Sequence, residues 1–403
     1  MNRFHSGVLF SLGKKSILFL FFLIGLLPLS YNSLSVNYSF ILLPITIIIL
    51  EGKIKIPSLL ILFSTTFYFL LLVVTFFFYS DYSQLEVRRF ISFSIFISTF
   101  LFCFVKVDLD ILDSFKKSLI FISVYLSLNS LLIFYLEGGS AMGFKAKYIL
   151  GTNRTGFLHI MTLMYLVVEW HKINYSQLIK LILIGIVIVG LMLTFSRTSV
   201  ISSSLIIISY YFIKTVNWIS KPNFSGLYKS FGYITFICLL LYFIVPSFDL
   251  VFRFFNERLI TLFLSNEFLL NSTQKQFSSE GIRFQIWESV LNYISDHPFR
   301  GGGFLGVWVL PGTPEASAHN QYIDVLYRTG VIGFFFYSII LFKITRCLYK
   351  FEKGLYWGFI GILLYGFFNE TFKNSQGALI LAVLMGFSEN GHYKHKRKYK
   401  NLV

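Results

Sequence analysis

The chain has 403 residues, of which 55% are hydrophobic, 19% aromatic and only 13% charged, with a mean hydropathy of +0.70. Soluble domains carry about 25% charged residues, so a soluble enzyme is excluded, as are a disordered chain and a disulfide scaffold. The three cysteines (Cys103, Cys238, Cys347) are far apart and none forms a CxxC pair, so neither a disulfide framework nor a zinc site is indicated. What remains is an all-α polytopic membrane protein.

A helix that crosses a bilayer needs roughly 20 apolar residues. Twelve segments reach or approach that length: 16–32, 35–50, 58–79, 90–105, 118–136, 154–170, 180–195, 198–213, 231–247, 321–342, 354–368 and 376–388. The first has a basic flank (Lys14, Lys15) but no small-residue cleavage site after Pro28, so it reads as a span rather than a signal peptide. The chain then divides into transmembrane helices 1–9 (1–247), one long hydrophilic loop (248–320), helices 10–12 (321–390) and a basic tail (391–403).

The formal net charge of +16 is unevenly placed. With the N-terminus inside, the inner segments hold 22 of the 35 basic residues but only 7 of the 19 acidic ones, as the positive-inside rule requires. The basic excess therefore reads as a topology signal and a contact with anionic lipid head groups, not as a nucleic-acid footprint. Both termini are expected in the cytoplasm and the long loop outside.

Within that loop, 279–296 has the pattern of an amphipathic helix. Ile282, Ile286, Val290 and Ile294 repeat every four residues, and Trp287, Leu291 and Tyr293 widen the apolar stripe. Ser278 or Ser279 would cap it, and His297-Pro298 with Gly301-Gly302-Gly303 would end it. An earlier stretch, 249–264, sets Arg253, Glu257 and Arg258 against an apolar side and is expected to lie along the membrane interface.

Among the seven histidines, His5, His171, His392 and His395 fall in inner segments and read as solvated. His159, about a turn into the sixth span, reads as a buried, hydrogen-bonded packing residue, and His297 as a helix-end residue. His319 stands in Ala318-His319-Asn320-Gln321-Tyr322, where the outer loop re-enters the membrane, and is either a catalytic group or a residue that fixes the re-entry. Arg197, in Thr194-Phe195-Ser196-Arg197-Thr198, separates two apolar runs. A guanidinium in hydrocarbon costs about 2.5–3.5 kcal/mol, so Arg197 belongs at the outer mouth or in a wet cavity, with a snorkelling arginine as the plainer alternative. Arg283 lies in the first turn of the loop helix, where a solvated arginine is the ordinary case. Arg154, in Gly151-Thr152-Asn153-Arg154-Thr155-Gly156, opens the sixth span. Three arginines near one outer mouth would suit a phosphate ligand, because guanidinium forks match phosphate oxygens bidentately.

The stretch from Gly281 to Gly333 resembles the signature of the bacterial O-antigen ligase and O-antigen polymerase family. The matching pieces are Arg283 and Trp287 in GIRFQIW, HPFRGGGF at 297–304, and AHNQYIDVLYRTGVIG at 318–333, with SRT at 196–198 and GTNRTG at 151–156 upstream. The resemblance implies a GT-C-like fold and a glycosyltransferase that uses undecaprenyl-pyrophosphate-linked glycans at the periplasmic face of the inner membrane. It implies that Arg197 and Arg283, with Arg154, hold the donor pyrophosphate, that His319 is the general base, and that Asn320, Tyr322 and Trp287 support it. Those roles agree with the chemistry, since histidine titrates near neutrality and can take a proton from an attacking sugar hydroxyl. Partners implied are the lipid-linked oligosaccharide and membrane lipids, with room for a chain-length regulator. No cofactor is expected, and no metal either. The first outer loop, Ser30 to Ser35, has no acidic residue, and the outer carboxylates Glu280, Glu288, Asp296, Glu315 and Asp324 lack metal-ligand spacing. GTNRTG and NETFKN (369–374) lean toward a polymerase, with a ligase or a capsule or exopolysaccharide polymerase as alternatives. A twelve-helix transporter of lipid-linked glycans is the rival from another class. It would place ionisable groups near the bilayer midplane, whereas the polar groups here gather in one outer loop.

Overall fold

The computed structural model describes residues 2–27, 45, 47–49, 54, 56–79, 101–105, 107–136, 152–194, 196–219, 279–299, 301–303, 307, 310, 318–372 and 375–400. Their helices, in chain order, are α1 (Asn2–Leu26), α2 (Leu59–Tyr79), α3 (Leu109–Leu136), α4 (Thr152–Val168), α5 (Gln177–Leu193), α6 (Arg197–Ile219), α7 (Ser279–Asp296), α8 (Gln321–Phe351), α9 (Lys353–Tyr365) and α10 (Ser375–Lys400). No sheet forms among the described residues; a single bridge joins Ile54 to Val105. Among the described residues, three helices are long and apolar enough to cross a membrane by themselves, namely α3, α6 over Thr198–Val216 and α8, and shorter apolar helices lie in α2, α4, α5 and α10. The protein is a helical membrane protein. The expected span 231–247 and the interfacial stretch 249–264 lie outside the described residues, as do most of 35–50 and 90–105.

Several helices run past the ends of the apolar segments that announce them. α1 begins at Asn2, α3 at Leu109, and α8 continues to Phe351. The basic stretch expected as a tail is helical as far as Lys400. The helical ladder is local and continues into polar sequence until something breaks it, whereas hydropathy marks only the part that suits lipid.

Lipid offers no hydrophobic force between helices, so close approach depends on small residues. On α9, Gly354, Gly358 and Gly361 line the face toward α4; a Cβ there would come to 2.6 Å from Glu169, 3.0 Å from Met161 and 2.6 Å from Ile160. The order of those neighbours makes α4 and α9 antiparallel. Between α3 and α5, Gly190 takes the Ser127 side chain, whose Oγ would lie 1.9 Å from an added Cβ. On α10, positions 378–387 are buried on every side, and they pack against α8 and the 3-10 turn Phe102–Phe104. The largest apolar cluster therefore forms around α3, α4, α9 and α10.

Charge collects at one end of this bundle. Lys116 pairs with Asp113 and with Glu352, each at 3.0 Å, and Lys15 with Asp110 at 3.3 Å. Glu169 takes Lys172 at 2.8 Å and the Gly354 N–H at 2.9 Å. Glu389 accepts from Ser58 N at 2.6 Å and from Lys343, tying the start of α2 to α8 and α10. Burial pushes the Glu352 carboxyl up, while the neighbouring Lys116 ammonium draws it down.

The far end is organised by a break in α8. Gly330 has φ 65° and ψ −173° inside an otherwise continuous helix. The break takes Tyr327 and Arg328 carbonyls out of the ladder, and they accept from Gly302 N at 2.6 Å and Gly303 N at 3.1 Å; Val331 N donates to Pro298 O at 2.8 Å. The 298–303 segment is thus laced to the helix by its backbone. A Cβ on Gly330 would sit 2.5 Å from Phe299 O, and one on Gly301 (φ +66°) 2.6 Å from Gly330 N. Gly330→Ala should therefore lower membrane protein level and thermal stability in detergent, by about 2 kcal/mol or more, since only glycine adopts that backbone region without strain. Gly185, with nothing within 4 Å of an added Cβ, is the control. Gly185→Ala should be neutral or stabilise by up to about 1 kcal/mol. Equal thermal shifts in the two variants would refute the account of the break.

Candidate functional site

The amphipathic segment foreseen at 279–296 is helix α7, with the same bounds. Ile286 and Val290 are fully buried and Ile294 nearly so, in a second apolar cluster with Val307, Ala318 and Tyr327. That cluster seats α7 on the first half of α8 and fixes its polar edge. Along that edge, Trp287 Nε1 donates to the Ala318 carbonyl at 2.8 Å. One turn earlier, the Arg283 guanidinium lies within electrostatic range of the Tyr365 hydroxyl.

Tyr365 ends α9, and its hydroxyl also faces the side chains of Ser196 and Ser199. Ser196 caps α6, accepting from Ser199 N at 3.3 Å, so Arg197 is the first residue of a capped helix. Gly156 of α4 is pressed against the same turn; a Cβ there would lie 2.0 Å from Ser199 Oγ and 3.4 Å from the Tyr365 hydroxyl. Arg154 stands one residue pair upstream, in the first turn of α4. The backbones of Arg154 and Arg197 therefore open two helices whose first turns touch, while their side chains lie outside the described residues. α4, α6 and α8 all begin at this end, and the positive ends of three helix dipoles favour an anion there.

His319 sits where α8 starts. It has φ 49°, the one positive value among described residues other than glycine. The geometry around it is over-determined. Asn320 caps α8, its Oδ1 accepting from Tyr322 N at 2.9 Å and Ile323 N at 3.1 Å. Gln321 N donates to Gly366 O at 2.8 Å, and Gln321 Oε1 accepts from Phe372 N at 2.9 Å. The Tyr322 hydroxyl donates to Leu363 O at 2.7 Å. Glu370 Oε1 accepts the Ala318 N–H at 2.8 Å, on the opposite side of that residue from Trp287.

The structure thus brings Arg283, Trp287, His319, Asn320 and Tyr322 to one end of the bundle, with the helix starts that carry Arg154 and Arg197. Sequence reasoning missed Glu370, Tyr365 and Ser199. Glu370 had one available signal, being a carboxylate in a short turn (366–372) between two apolar runs. The other histidines read as structure. His159 is fully buried with its Nδ1 2.7 Å from Ser123 Oγ, as expected of a packing residue. The His297 ring stacks on Tyr293, with centroids 4.8 Å apart and 13° between planes, at the end of α7. Among the described residues no three His, Cys, Asp or Glu side chains are grouped to hold a metal ion.

Residues 181–338 match the family model described as O-antigen ligase. The match takes in Arg197, Arg283, Trp287, His319, Asn320 and Tyr322, and leaves out Arg154 and Glu370. Among curated proteins none matches the chain. The signature at Gly281–Gly333 lies inside the matched stretch, so this part of the chain is similar to the O-antigen ligase/polymerase family, whose members are glycosyltransferase-like enzymes.

Proposed function

We propose that the protein is an O-antigen polymerase that joins undecaprenyl-pyrophosphate-linked repeat units at the periplasmic face of the inner membrane. The chain spans that membrane twelve times in a GT-C-like arrangement, with both termini in the cytoplasm and the His319 end of the bundle outside. His319 takes the proton of an acceptor sugar hydroxyl as its oxygen bonds to the anomeric carbon of the donor glycan. The bond from that carbon to the pyrophosphate oxygen breaks, and its electron pair leaves on undecaprenyl pyrophosphate. Arg283, Arg197 and Arg154 hold the pyrophosphate and stabilise the charge it develops, without a metal ion. Asn320, Tyr322 and Trp287 keep the histidine in place, and a chain-length regulator is an additional partner.

One observation carries this reading. A single turn of α7 separates Arg283, within electrostatic range of the Tyr365 hydroxyl that faces Ser196 and Ser199, from Trp287, bonded to the residue before His319. The cation suited to a leaving pyrophosphate and the group suited to general-base work are therefore set by one short helix. The charged end at Lys116, Glu169 and Lys343 then faces the cytoplasm, in keeping with the positive-inside rule.

Deleting the gene and displaying the cell's lipopolysaccharide on a gel tests the function directly. A single repeat on core is the expected pattern. Free core with accumulated lipid-linked glycan would identify a ligase instead, and an unchanged pattern another surface glycan or another class of protein.

Variants test the roles. His319→Ala should lower turnover of purified protein by about 10²–10⁴-fold, the usual contribution of a positioned base. His319→Gln, which can replace a hydrogen bond but not a base, should be nearly as poor. Substantial activity in the glutamine variant would make His319 a residue that only fixes the loop. Arg283→Ala should abolish chain extension at unchanged protein level, and Arg283→Lys should restore it only in part, because an ammonium offers a point charge in place of a fork. Wild-type activity in both would mark Arg283 as a solvated arginine. For orientation, a cysteine placed at Ser272 should be labelled by an impermeant reagent in spheroplasts and one at Ser220 should not.

A further inference from the structure

The reaction above needs Arg197 at the mouth, and the bonds around that residue leave one thing open. Thr194 Oγ1 donates to Leu191 O at 2.7 Å and accepts from Ser196 N at 3.3 Å. Ser196 Oγ then accepts from Ser199 N at 3.3 Å, and Ser196 O from Val200 N at 3.3 Å. The turn from Thr194 to Ser199 is therefore braced by its own hydroxyls and moves as one piece. Those bonds fix its shape but not where it stands among the other helices.

Its place is set by α4. Gly156 is buried against Ser199, itself fully buried. A Cβ on Gly156 would lie 2.0 Å from Ser199 Oγ and 2.9 Å from Ser199 Cβ, with the Tyr365 hydroxyl of α9 3.4 Å away. A rotamer change can swing the Oγ aside, but the Ser199 Cβ stays with its backbone. Carbon atoms settle about 3.5–4.0 Å apart, so one added methyl must part the two helix starts by roughly 0.6–1.1 Å. Deeper in the bundle α9 reaches both helices at Gly361, where a Cβ would lie 2.6 Å from Ile160 of α4 and 3.6 Å from Ile206 of α6. α6 is thus held lower down, and a push at Ser199 falls on its first turn.

Arg197 stands two positions before Ser199, about 200° around the helix, so its Cα lies on the side of α6 away from α4. Parting the helices carries it outward along that line. A misplacement of about 1 Å is enough to spoil the work of a positioned group.

We propose that Gly156 is a positioning residue for Arg197: its missing side chain lets α4 and α6 meet at their first turns, and that contact sets where Arg197 stands when it holds the donor pyrophosphate. Gly156 touches no substrate in this scheme. The inference rests on the reading of Arg197 as a pyrophosphate ligand.

The test titrates purified full-length protein in detergent with undecaprenyl pyrophosphate, the leaving product, and reads its dissociation constant beside the thermal unfolding midpoint. Gly354→Ala is the control, since its Cβ would lie 2.6 Å from Glu169, just past the opposite end of α4. Both Gly156→Ala and Gly354→Ala should lower the midpoint, as overpacking does. Only Gly156→Ala should weaken binding, by about tenfold, the size of one lost charge-assisted hydrogen bond. Adding Ser199→Gly to Gly156→Ala removes the crowded Cβ and should bring binding back to within about threefold of wild type. In an Arg197→Ala background, Gly156→Ala should cost no more than about threefold further, because the effects of residues acting through one another do not add. Wild-type binding in Gly156→Ala, an equal loss in Gly354→Ala, no recovery with Ser199→Gly, or a fully additive loss in the Arg197→Ala background would each overturn the proposal. Loss of folded protein in Gly156→Ala and in its pair with Ser199→Gly alike would assign the contact to packing alone and overturn it too. Unweakened binding in Arg197→Ala by itself would instead remove the pyrophosphate reading on which the proposal stands.

Discussion

A backbone group inside a membrane protein has no water to fall back on, so a helix that breaks there must find other partners for the carbonyls it frees. α8 breaks at Gly330, and 298–303 supplies those partners through Gly302 N and Gly303 N. That exchange fixes the exit of the loop from α7 and the register of the first half of α8. The two together set the distance between Arg283 at one end of α7 and the Asn320 cap at the start of α8. Loosening the break would shift Tyr327 and Arg328, then Asp324, then the turn at His319. The glycines of 301–303 and 330 matter because backbone must meet backbone there, and a Cβ would hold the two apart.

Polar groups in the rest of the bundle divide into two kinds. At the Lys116–Glu352 and Lys343–Glu389 end, these buried charges have opposite charges in contact and are used up in joining helices. At the His319 end the bonds run mostly from side chains to backbone: Trp287 and Glu370 to Ala318, Asn320 to Tyr322 and Ile323, Tyr322 to Leu363. Such bonds lock geometry without neutralising the arginine and histidine nearby. One end is built for cohesion and the other for holding ionisable groups in fixed places.

Much of this was legible in the sequence, for reasons that vary by element. α7 was read with its bounds because a four-residue apolar repeat, a serine cap and a His-Pro stop are all local signals. His159 was read as a packing residue because a lone histidine deep in an apolar run has few other uses. The break at Gly330 was not read, although the glycines were seen, because the pairing of 298–303 with 327–331 is a long-range register that no periodicity encodes. Glu370 was passed over for a similar reason. Its partner is a backbone N–H 52 positions away, and such contacts carry no residue-type signature at either end. Helices run beyond the apolar spans wherever polar sequence continues them, as in α1, α3, α8 and α10.

The arrangement also bears on how a site at this end of the bundle can work. Helix starts at α4, α6 and α8 turn positive dipole ends toward one mouth, and the body of the bundle beneath them is apolar. In such a medium a fixed charge acts over a longer range than in water, so on the proposed reading a cation at the mouth would attract the donor's pyrophosphate. A lipid-anchored donor already lies in the plane of the membrane, which confines its search to two dimensions and delivers its head group at this height. What the protein must then supply is orientation, and orientation is what the clamp on Ala318, the cap at Asn320 and the lacing at Gly330 provide.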